Sequence, residues 1–192
     1  MEIVFNFAKQ LHKDISDQAL GTFVNLFTEV TFSKNEVFIE TGDSPLTFYL
    51  VKSGVARSYH TDEKGKEFIR SLFTPVSTIG SLNSLLKGKP SELTYDCLTD
   101  CVFLEADFTK LIELTKKDLE IAFLYSKLLE VIIFKFIHRI NELSTFNATE
   151  LYLKLKVDIP HIDNLISQYH IAEYLNITPV QLSRIRKKIY SI

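Results

Sequence analysis

Basic side chains are concentrated in one short segment near the carboxyl end, RIRKK at residues 184–188, where no acidic residue interrupts them. Arginine can pair bidentately with guanine, glutamine can pair with adenine, and lysine and serine suit phosphate oxygens. These residue types predict contacts to double-stranded DNA, although a solvated basic end of a surface helix has a similar composition. The candidate DNA contacts are Thr178, Gln181, Ser183, Arg184, Arg186, Lys187 and Lys188.

Two short helices around a tight turn must position this basic segment. Asn176 tolerates positive φ and can end the first helix, and Thr178-Pro179 supplies an N-cap followed by proline at the first helical position. Helical spacing indicates two apolar faces, predicted to pack inward: Ile166, Ile171, Ala172 and Leu175, then Val180, Leu182, Ile185 and Ile189. The segment is therefore predicted to be a helix-turn-helix, in which Pro179 and Val180 make no charged base contact.

The whole chain does not attract nucleic acid by its net charge. Its 192 residues carry a formal charge of -2, so any affinity for DNA must be local to the basic segment. The amino terminus has no basic region followed by a long apolar run, and charged residues interrupt the apolar stretch 119–140. We therefore expect a cytoplasmic protein with no membrane partner.

The first part of the chain has the pattern of a small antiparallel barrel. All six glycines precede Lys117, and short extended segments rich in Val, Thr, Phe and Tyr alternate with turns at intervals of roughly ten to fifteen residues. This pattern predicts an α+β chain with a β-barrel or jelly roll, cupin-like or cyclic-nucleotide-binding-like, preceded by an amphipathic helix over Asp17 to Phe27.

The two cysteines, Cys97 and Cys101, lie in a segment that resembles one strand, YDCLTDCVFLEA. One extended strand would place their Cα atoms about 13 Å apart, too far for a disulfide, so we expect two buried thiols. His60 is the only histidine of the strand region, and the chain lacks a phosphate-binding GxxxxGK[ST] loop and a GxSxG elbow. No catalytic residue, metal site or cofactor is therefore predicted, and a barrel enzyme is only a remote alternative.

One long helix pattern runs from Lys117 to Leu143 and carries a wide apolar arc. An arc of this width can pack on its own barrel and on a second copy of the chain, whereas burial within one subunit is the alternative. We predict a homodimer through this helix. The candidate dimerisation residues are Ile121, Tyr125, Leu128, Ile132 and Phe136. Asn147 to Glu150 then break the chain, and a further helix ends before Pro160.

The order of barrel, long helix and helix-turn-helix resembles the Crp/Fnr superfamily of transcriptional regulators, which includes the cyclic-AMP receptor protein. The landmarks that carry the resemblance are ETGD at 40–43, FYLVKSGVAR at 48–57, DEKGKE at 62–67 and IGSLNSLLKG at 79–88. HIAEYLNITPVQLSRIRKK, at 170–188, resembles the short-tailed members found in Bacteroidetes-type bacteria. The early end of the chain after this segment indicates a carboxy-terminal wing that is absent or very short.

The resemblance also implies where an effector would bind. In the cyclic-nucleotide binders of this superfamily, a GEL loop and a later Arg-Ser pair hold the ribose and the cyclic phosphate. The corresponding residues here are Gly80, Ser81 and Leu82, followed by Ser91 and Glu92. These five form the candidate ligand pocket. A carboxylate in place of an Arg-Ser pair repels a phosphate, so cyclic AMP is not the expected ligand and the effector stays unknown.

The sequence therefore predicts a DNA-binding, homodimeric transcriptional regulator of the Crp/Fnr type that is not an enzyme. Three parts are expected: a cyclic-nucleotide-binding-like domain over 1–116, a dimerisation helix over 117–143, and a winged-helix-like, helix-turn-helix domain over 144–192. RNA polymerase and a small-molecule effector are further partners that this prediction allows. The alternative is a ligand-binding or protein-interaction module whose helix-turn-helix is vestigial.

Overall fold

A computed structural model describes residues 1–190 of the chain. The N-terminal region, residues 1–116, begins with helices α1 (Glu2–Leu11) and α2 (Asp17–Val24) and ends with α4 (Phe108–Thr115). Helix α3 (Leu82–Lys87) lies between its strands. The strands are β1 (Thr28–Phe32), β2 (Val37–Ile39), β3 (Thr47–Ser53), β4 (Ala56–Thr61), β5 (Glu67–Phe73), β6 (Thr78–Ile79), β7 (Thr94–Cys97) and β8 (Cys101–Asp107).

The remaining described chain is helical. It consists of α5 (Leu119–Thr145), α6 (Ala148–Asp158), α7 (Ile162–Leu165), α8 (Gln168–Tyr174) and α9 (Pro179–Tyr190). The residues from 144 to 190 form the C-terminal region. The predicted boundary at 192 includes two residues that lie outside the described ones.

The eight strands form two antiparallel four-stranded sheets, with strand orders β1-β8-β3-β6 and β2-β7-β4-β5. Strand β5 is therefore an edge of the second sheet. Aromatic rings fill the space between the sheets, and the ring centroids of Phe38 and Phe103 lie 5.2 Å apart. The rings of Phe32 and Tyr49 complete this cluster. The predicted α+β architecture with an antiparallel roll is confirmed.

Helices α1, α2, α4 and α5 cover the outer side of the first sheet. Their apolar side chains, among them Val4, Phe23 and Leu124, pack against Phe48 and Leu104 of that sheet in one core. The sequence predicted a single opening helix over Asp17 to Phe27, whereas the chain begins with two. Polar contacts also fix α5, because the backbone amide of Ser16 donates to Glu120 at 3.0 Å.

The two cysteines do not share a strand as predicted. Residues 98–100 form a turn, so Cys97 ends β7 and Cys101 begins β8. The argument against a disulfide from the length of one extended strand is therefore wrong, although both thiols are free and buried. The neighbouring thiol of Cys101, together with burial, raises the pKa of Cys97. Gly54 packs against this turn, where a Cβ atom at residue 54 would lie 2.4 Å from the Asp100 carbonyl oxygen.

The C-terminal region has its own apolar core, which extends onto the N-terminal region. Tyr152, Ile162 and Ile171 are fully buried there. Val55 and Leu98 of the N-terminal region belong to the same cluster. The two regions are therefore packed against each other within one subunit.

Candidate DNA-reading helix and sensor cavity

Helices α8 and α9 lie in the segment that the sequence predicts to be a helix-turn-helix. The Ser167 hydroxyl caps α8 by accepting from the backbone amide of His170 at 3.2 Å. Asn176 has a φ of 55°, a left-handed conformation that asparagine adopts more readily than most residues. Thr178 and Gln181 then form a reciprocal capping box: Gln181 N–H donates to Thr178 Oγ1 at 3.2 Å, and Thr178 N–H donates to Gln181 Oε1 at 2.9 Å. The predicted turn chemistry is confirmed.

Most of the predicted DNA contacts lie on the exposed side of α9. They are Thr178, Gln181, Ser183, Arg184, Lys187 and Lys188. We name Ser183, Arg184, Lys187 and Lys188 the basic face of α9. Leu182 is buried as predicted, but Val180 is 61% exposed, so its predicted inward packing is wrong. Val180 directly follows the proline, and α9 reaches the apolar core only at Leu182, about one turn after the proline.

The capping box limits what Gln181 can do. Its Oε1 atom already accepts the Thr178 amide, which leaves only the side-chain NH₂ group to donate. Bidentate pairing with adenine needs both the carbonyl and the NH₂ group. In this conformation Gln181 can therefore donate to a base but cannot pair bidentately with adenine.

Arg186 differs from the other predicted contacts because it turns toward the interior of the C-terminal region. Its Nε atom lies 3.9 Å from Asp163 Oδ1, and its side chain is 33% exposed. The hydroxyl of Tyr152 donates to both oxygens of Asp163, at 2.9 and 2.8 Å. Burial raises the pKa of Asp163, but hydrogen bonds from Tyr152 and Gln168 outweigh it, and the net pKa is lowered. Asp163 thus stays ionised and attracts Arg186 away from the basic face.

A shallow hollow of about 360 Å³ lies between the start of α6 and α9. Asn147, Ala148 and Thr149 line one side, and Gln181, Arg184 and Ile185 line the other. Asn147 caps α6 by accepting from the amides of Thr149 and Glu150. The guanidinium of Arg184 and the positive end of the α6 dipole therefore border the same surface.

A larger cavity, of about 1300 Å³, opens between the roll, α5 and the C-terminal region. We name it the central cavity. The five residues of the predicted ligand pocket all line it: Gly80, Ser81, Leu82, Ser91 and Glu92. Side chains of α5 form a second wall, and Leu151, Leu155 and Tyr174 bring the C-terminal region to its edge. The cavity therefore touches all three parts of the chain.

The serine hydroxyls of this site are buried and engaged with the protein itself. Ser84 Oγ donates to Ser81 Oγ at 3.1 Å, and Ser91 Oγ donates to the Leu93 carbonyl at 2.7 Å. Tyr95 Oη donates to the Gly80 carbonyl at 3.4 Å, and burial raises the pKa of Tyr95 to about 12. The loop that precedes α3 is thereby held by neutral groups.

The predicted dimerisation stripe largely faces the subunit's own core. Ile121 and Leu128 are buried against the N-terminal region, and Tyr125 and Ile132 pack at the edge of that core. The prediction that Ile121 and Leu128 contact a second subunit is therefore wrong, because helices α1 and α4 and the first sheet already cover them. Phe136 is 49% exposed and lines the central cavity.

Another face of α5 is apolar and exposed. Ile133 is 55% exposed, Phe134 is 58% exposed and Ile137 is 45% exposed. None of the three lines the central cavity. We name these three residues the outer face of α5. Their spacing of three and four residues makes one helical stripe.

A buried arginine on β4 lies beneath the C-terminal region. Arg57 donates to both carboxylate oxygens of Asp96, at 2.8 and 2.9 Å, and to Glu67 at 2.6 Å. Burial lowers the pKa of Arg57, but these carboxylates outweigh it and the net pKa is raised. Helix α8 packs against β5 next to this cluster and brings Glu173 to 3.6 Å from Arg57. We name the packing of α8 on β5 the docking contact.

A second arginine, on α5, holds the end of α8. Arg139 Nη2 donates to the Tyr174 carbonyl at 2.8 Å, and the guanidinium lies 4.0 Å from the centre of the Tyr174 ring. Sequence reasoning missed both arginine contacts. The position of Arg57 within a strand was the available signal that it is buried and paired, whereas nothing local distinguishes Arg139.

Two further classes of site are absent among residues 1–190. No three His, Cys, Asp or Glu side chains there come together closely enough to hold a metal ion. None of the described helices is both long and apolar enough to cross a membrane.

The roll is similar in sequence to a known protein domain. Residues 29–118 match the sequence model of the cyclic nucleotide-binding domain. An uncharacterised protein of Haemophilus influenzae is 31% identical over 81 residues, which are 42% of this chain and 58% of that protein. The match thus spans little more than half of the relative's length.

Solved structures extend the likeness to most of the chain. FixK2 of Bradyrhizobium japonicum superposes with a TM-score of 0.71 at 19% identity, covering 86% of this chain and 85% of its own. The c-di-GMP-responsive global regulator CLP of Xanthomonas campestris gives a TM-score of 0.68 at 15% identity and 92% coverage of both chains. The catabolite activator protein of Thermus thermophilus gives 0.56 at 19% identity, covering 94% of this chain and 86% of its own.

At these identities the solved structures establish the fold. The predicted resemblance is confirmed at that level, and the Bacteroidetes-type subgroup stays a prediction. Residues 29–118 thus match the cyclic nucleotide-binding domain model, and the chain has the fold of these three solved structures.

Proposed function

We propose that this chain is a homodimeric, DNA-binding transcriptional regulator whose central cavity takes an effector other than cyclic AMP. The observation that carries the proposal is the capped α8–α9 pair, whose second helix presents the four side chains of its basic face to solvent. This pair is attached to a roll of the cyclic nucleotide-binding family. A helix of this kind fits the major groove of B-form DNA.

The basic face of α9 divides into two kinds of contact. Arg184 is exposed at the middle of the helix, and its fork suits guanine. Lys187 and Lys188 lie further along the exposed side and suit phosphates, as does the exposed hydroxyl of Ser183. Arg186 contributes less than the sequence predicted because Asp163 attracts it.

The outer face of α5 supports a homodimer. Ile133, Phe134 and Ile137 expose a continuous apolar stripe on a helix of 27 residues. A second copy of α5, packed along this stripe, removes the three side chains from water on both subunits. Two-fold symmetry would then place two α9 helices for half-sites about one DNA turn apart.

The central cavity argues against cyclic AMP as the effector. Ser91 and Glu92 occupy the positions at which cyclic-nucleotide binders of this superfamily hold the phosphate, and Ser81 occupies that of the ribose-binding carboxylate. Ser91 already donates to Leu93, and a carboxylate at 92 repels a phosphate. The walls are largely apolar, so an effector with a larger apolar surface than a cyclic nucleotide fits them better.

An effector bound in the central cavity would also affect the position of α9. Arg139 and Tyr174 both line it, and their hydrogen bond joins α5 to the end of α8. A molecule bound against these side chains would change the position of the helix-turn-helix relative to the roll. A regulator of this kind works in the cytoplasm, where it meets DNA and RNA polymerase.

Selection from a pool of random DNA duplexes, followed by titration of the enriched sequence, tests the DNA-binding part. The enriched duplex should bind more tightly than a shuffled one, with an affinity that falls steeply as salt rises. Arg184→Ala should cost about 1 to 3 kcal/mol per half-site on the enriched duplex and relax its specificity. Lys188→Ala should weaken both duplexes alike and reduce the salt slope by about one per subunit.

Lys116→Ala serves as the matched control, because it removes a cation outside the C-terminal region and should leave both affinities unchanged. No enrichment of any sequence, with equal affinity for all duplexes, would refute the proposal.

A further inference from the structure

The docking contact buries a carboxylate that receives no hydrogen bond. The side chain of Glu173 is 7% exposed. Neither of its oxygen atoms has a hydrogen-bond partner among residues 1–190. The nearest cationic atom, Nη1 of Arg57, lies 3.6 Å away, which is beyond a hydrogen bond.

Each of the three guanidinium nitrogen atoms of Arg57 already donates a hydrogen bond to a carboxylate other than Glu173. Its Nε and Nη2 atoms already donate to Asp96, and its Nη1 atom donates to Glu67 at 2.6 Å. One guanidinium therefore faces three carboxylates. A third carboxylate that loses its water shell gains less from this shared cation than its desolvation costs. Burial accordingly raises the pKa of Glu173, and the nearby Tyr169 hydroxyl and Arg57 charge, which lower it, do not outweigh burial.

Tyr174, the residue next to Glu173, stabilises the docking contact through Arg139. The Tyr174 carbonyl accepts from Arg139 at 2.8 Å, and its ring lies under the same guanidinium. Leu72 of β5 packs into the apolar core of the C-terminal region. Docking is thus stabilised by Arg139 and by apolar burial, and each is adjacent to the unpartnered carboxylate.

We propose that Glu173 is a positioning residue that opposes the docking contact, so that the docked and the undocked arrangements of the C-terminal region lie close in free energy. This inference deepens the proposed function, on which its regulatory meaning rests. Because the docked and undocked arrangements differ little in free energy, an effector that touches Arg139 and Tyr174 in the central cavity needs little binding energy to move α9.

Titration of pH would not isolate this effect. Lys66 and Tyr169 also face Glu173, as do Arg57 and Glu67. His170, on the same helix, has its pKa lowered by burial and by Arg57. Protonation of Glu173 favours docking, whereas protonation of His170 opposes it, so the two partly cancel as the pH falls. Substitution of Glu173 avoids this ambiguity.

Hydrogen exchange of the full-length protein, without DNA or ligand, reports the docking contact directly. Strand β5 is a sheet edge, so its outward amides and those of α8 exchange faster when the C-terminal region undocks. Glu173→Gln keeps the shape and removes the charge, and it should slow exchange of these amides about tenfold. Glu173→Met, an apolar side chain of similar length, should slow it as well.

Arg139→Ala should accelerate the same amides by about tenfold, because it removes a charge-assisted hydrogen bond. Glu113→Gln on α4 makes the same charge change at an exposed position away from the contact and should leave exchange unchanged.

Unchanged or faster exchange in Glu173→Gln would overturn the inference, since Glu173 would then be neutral or would hold the contact through Arg57. The amides of β3 and β8 should keep their hydrogen-exchange rates in Glu173→Gln. Unchanged rates in these strands would show that the substitution alters the docking contact and not the global stability of the fold. The assay contains no DNA, so a failure of DNA binding leaves the docking result intact, and a failed docking result leaves the DNA titration intact.

Discussion

Truncation of Phe134 should weaken the homodimer without affecting the subunit. Phe134 lies on the outer face of α5 and is 58% exposed, so the fold of one subunit does not depend on it. A phenylalanine side chain buries roughly 150 to 250 Å² when fully covered, and the exposed part is therefore about 100 Å². At about 25 cal/mol per Å², its loss costs roughly 2 kcal/mol per subunit once the area left by alanine is subtracted.

Symmetry doubles this cost, because each dimer contains two copies of Phe134. A loss of about 4 kcal/mol corresponds to a roughly thousandfold weaker dimerisation constant. Sedimentation velocity over a range of protein concentrations measures the constant, and thermal unfolding of the monomer checks the subunit. Phe134→Ala should raise the dissociation constant strongly and leave the unfolding of the monomer nearly unchanged.

Val157→Ala is the control, since Val157 on α6 is 74% exposed and lies off the outer face. It should dimerise like the parent chain. An unchanged dissociation constant for Phe134→Ala would refute the assignment of the outer face as the dimer interface.

Three further predictions follow from the described contacts. Asp96→Asn breaks the buried pair with Arg57 and should lower the free energy of unfolding by about 3 to 5 kcal/mol in urea titrations, whereas Glu29→Gln at an exposed pair should cost under about 1 kcal/mol. Tyr152→Phe should cost about 2 kcal/mol at neutral pH. Because the pKa of Asp163 is lowered, its contribution is present above the ordinary pKa of aspartate and is lost as pH falls through the lowered value, so this cost should shrink in acid. Cyclic AMP should leave the melting temperature unchanged, and a rise of several degrees would contradict the proposed ligand class.

Local chemistry made much of the C-terminal region predictable from sequence. Asn176 and Thr178 each carry a property that one position of the turn requires, positive φ and a capping hydroxyl. The long helix was equally visible because its apolar repeat continues for many turns. These features depend on neighbours in the chain, which a sequence displays directly.

Features that depend on distant contacts were not predictable in the same way. The apolar arc of α5 indicated two partners but not which side chains face which partner, and Leu128 proved to be internal while Phe134 is external. No local pattern indicates that Glu173 is buried, because its burial comes from the packing of α8 on β5. The turn between Cys97 and Cys101 was hidden because three residues suffice to reverse the chain.

The central claim is that two copies of the chain present paired α9 helices to two DNA half-sites. It is tested most directly by measuring affinity for the selected duplex while the spacing between its half-sites is varied. Affinity should peak when the half-site centres are one turn apart, about 10 base pairs, and should fall sharply when about five base pairs are inserted, because the half-sites then face opposite sides of the duplex. Affinity that is independent of the spacing would contradict the account.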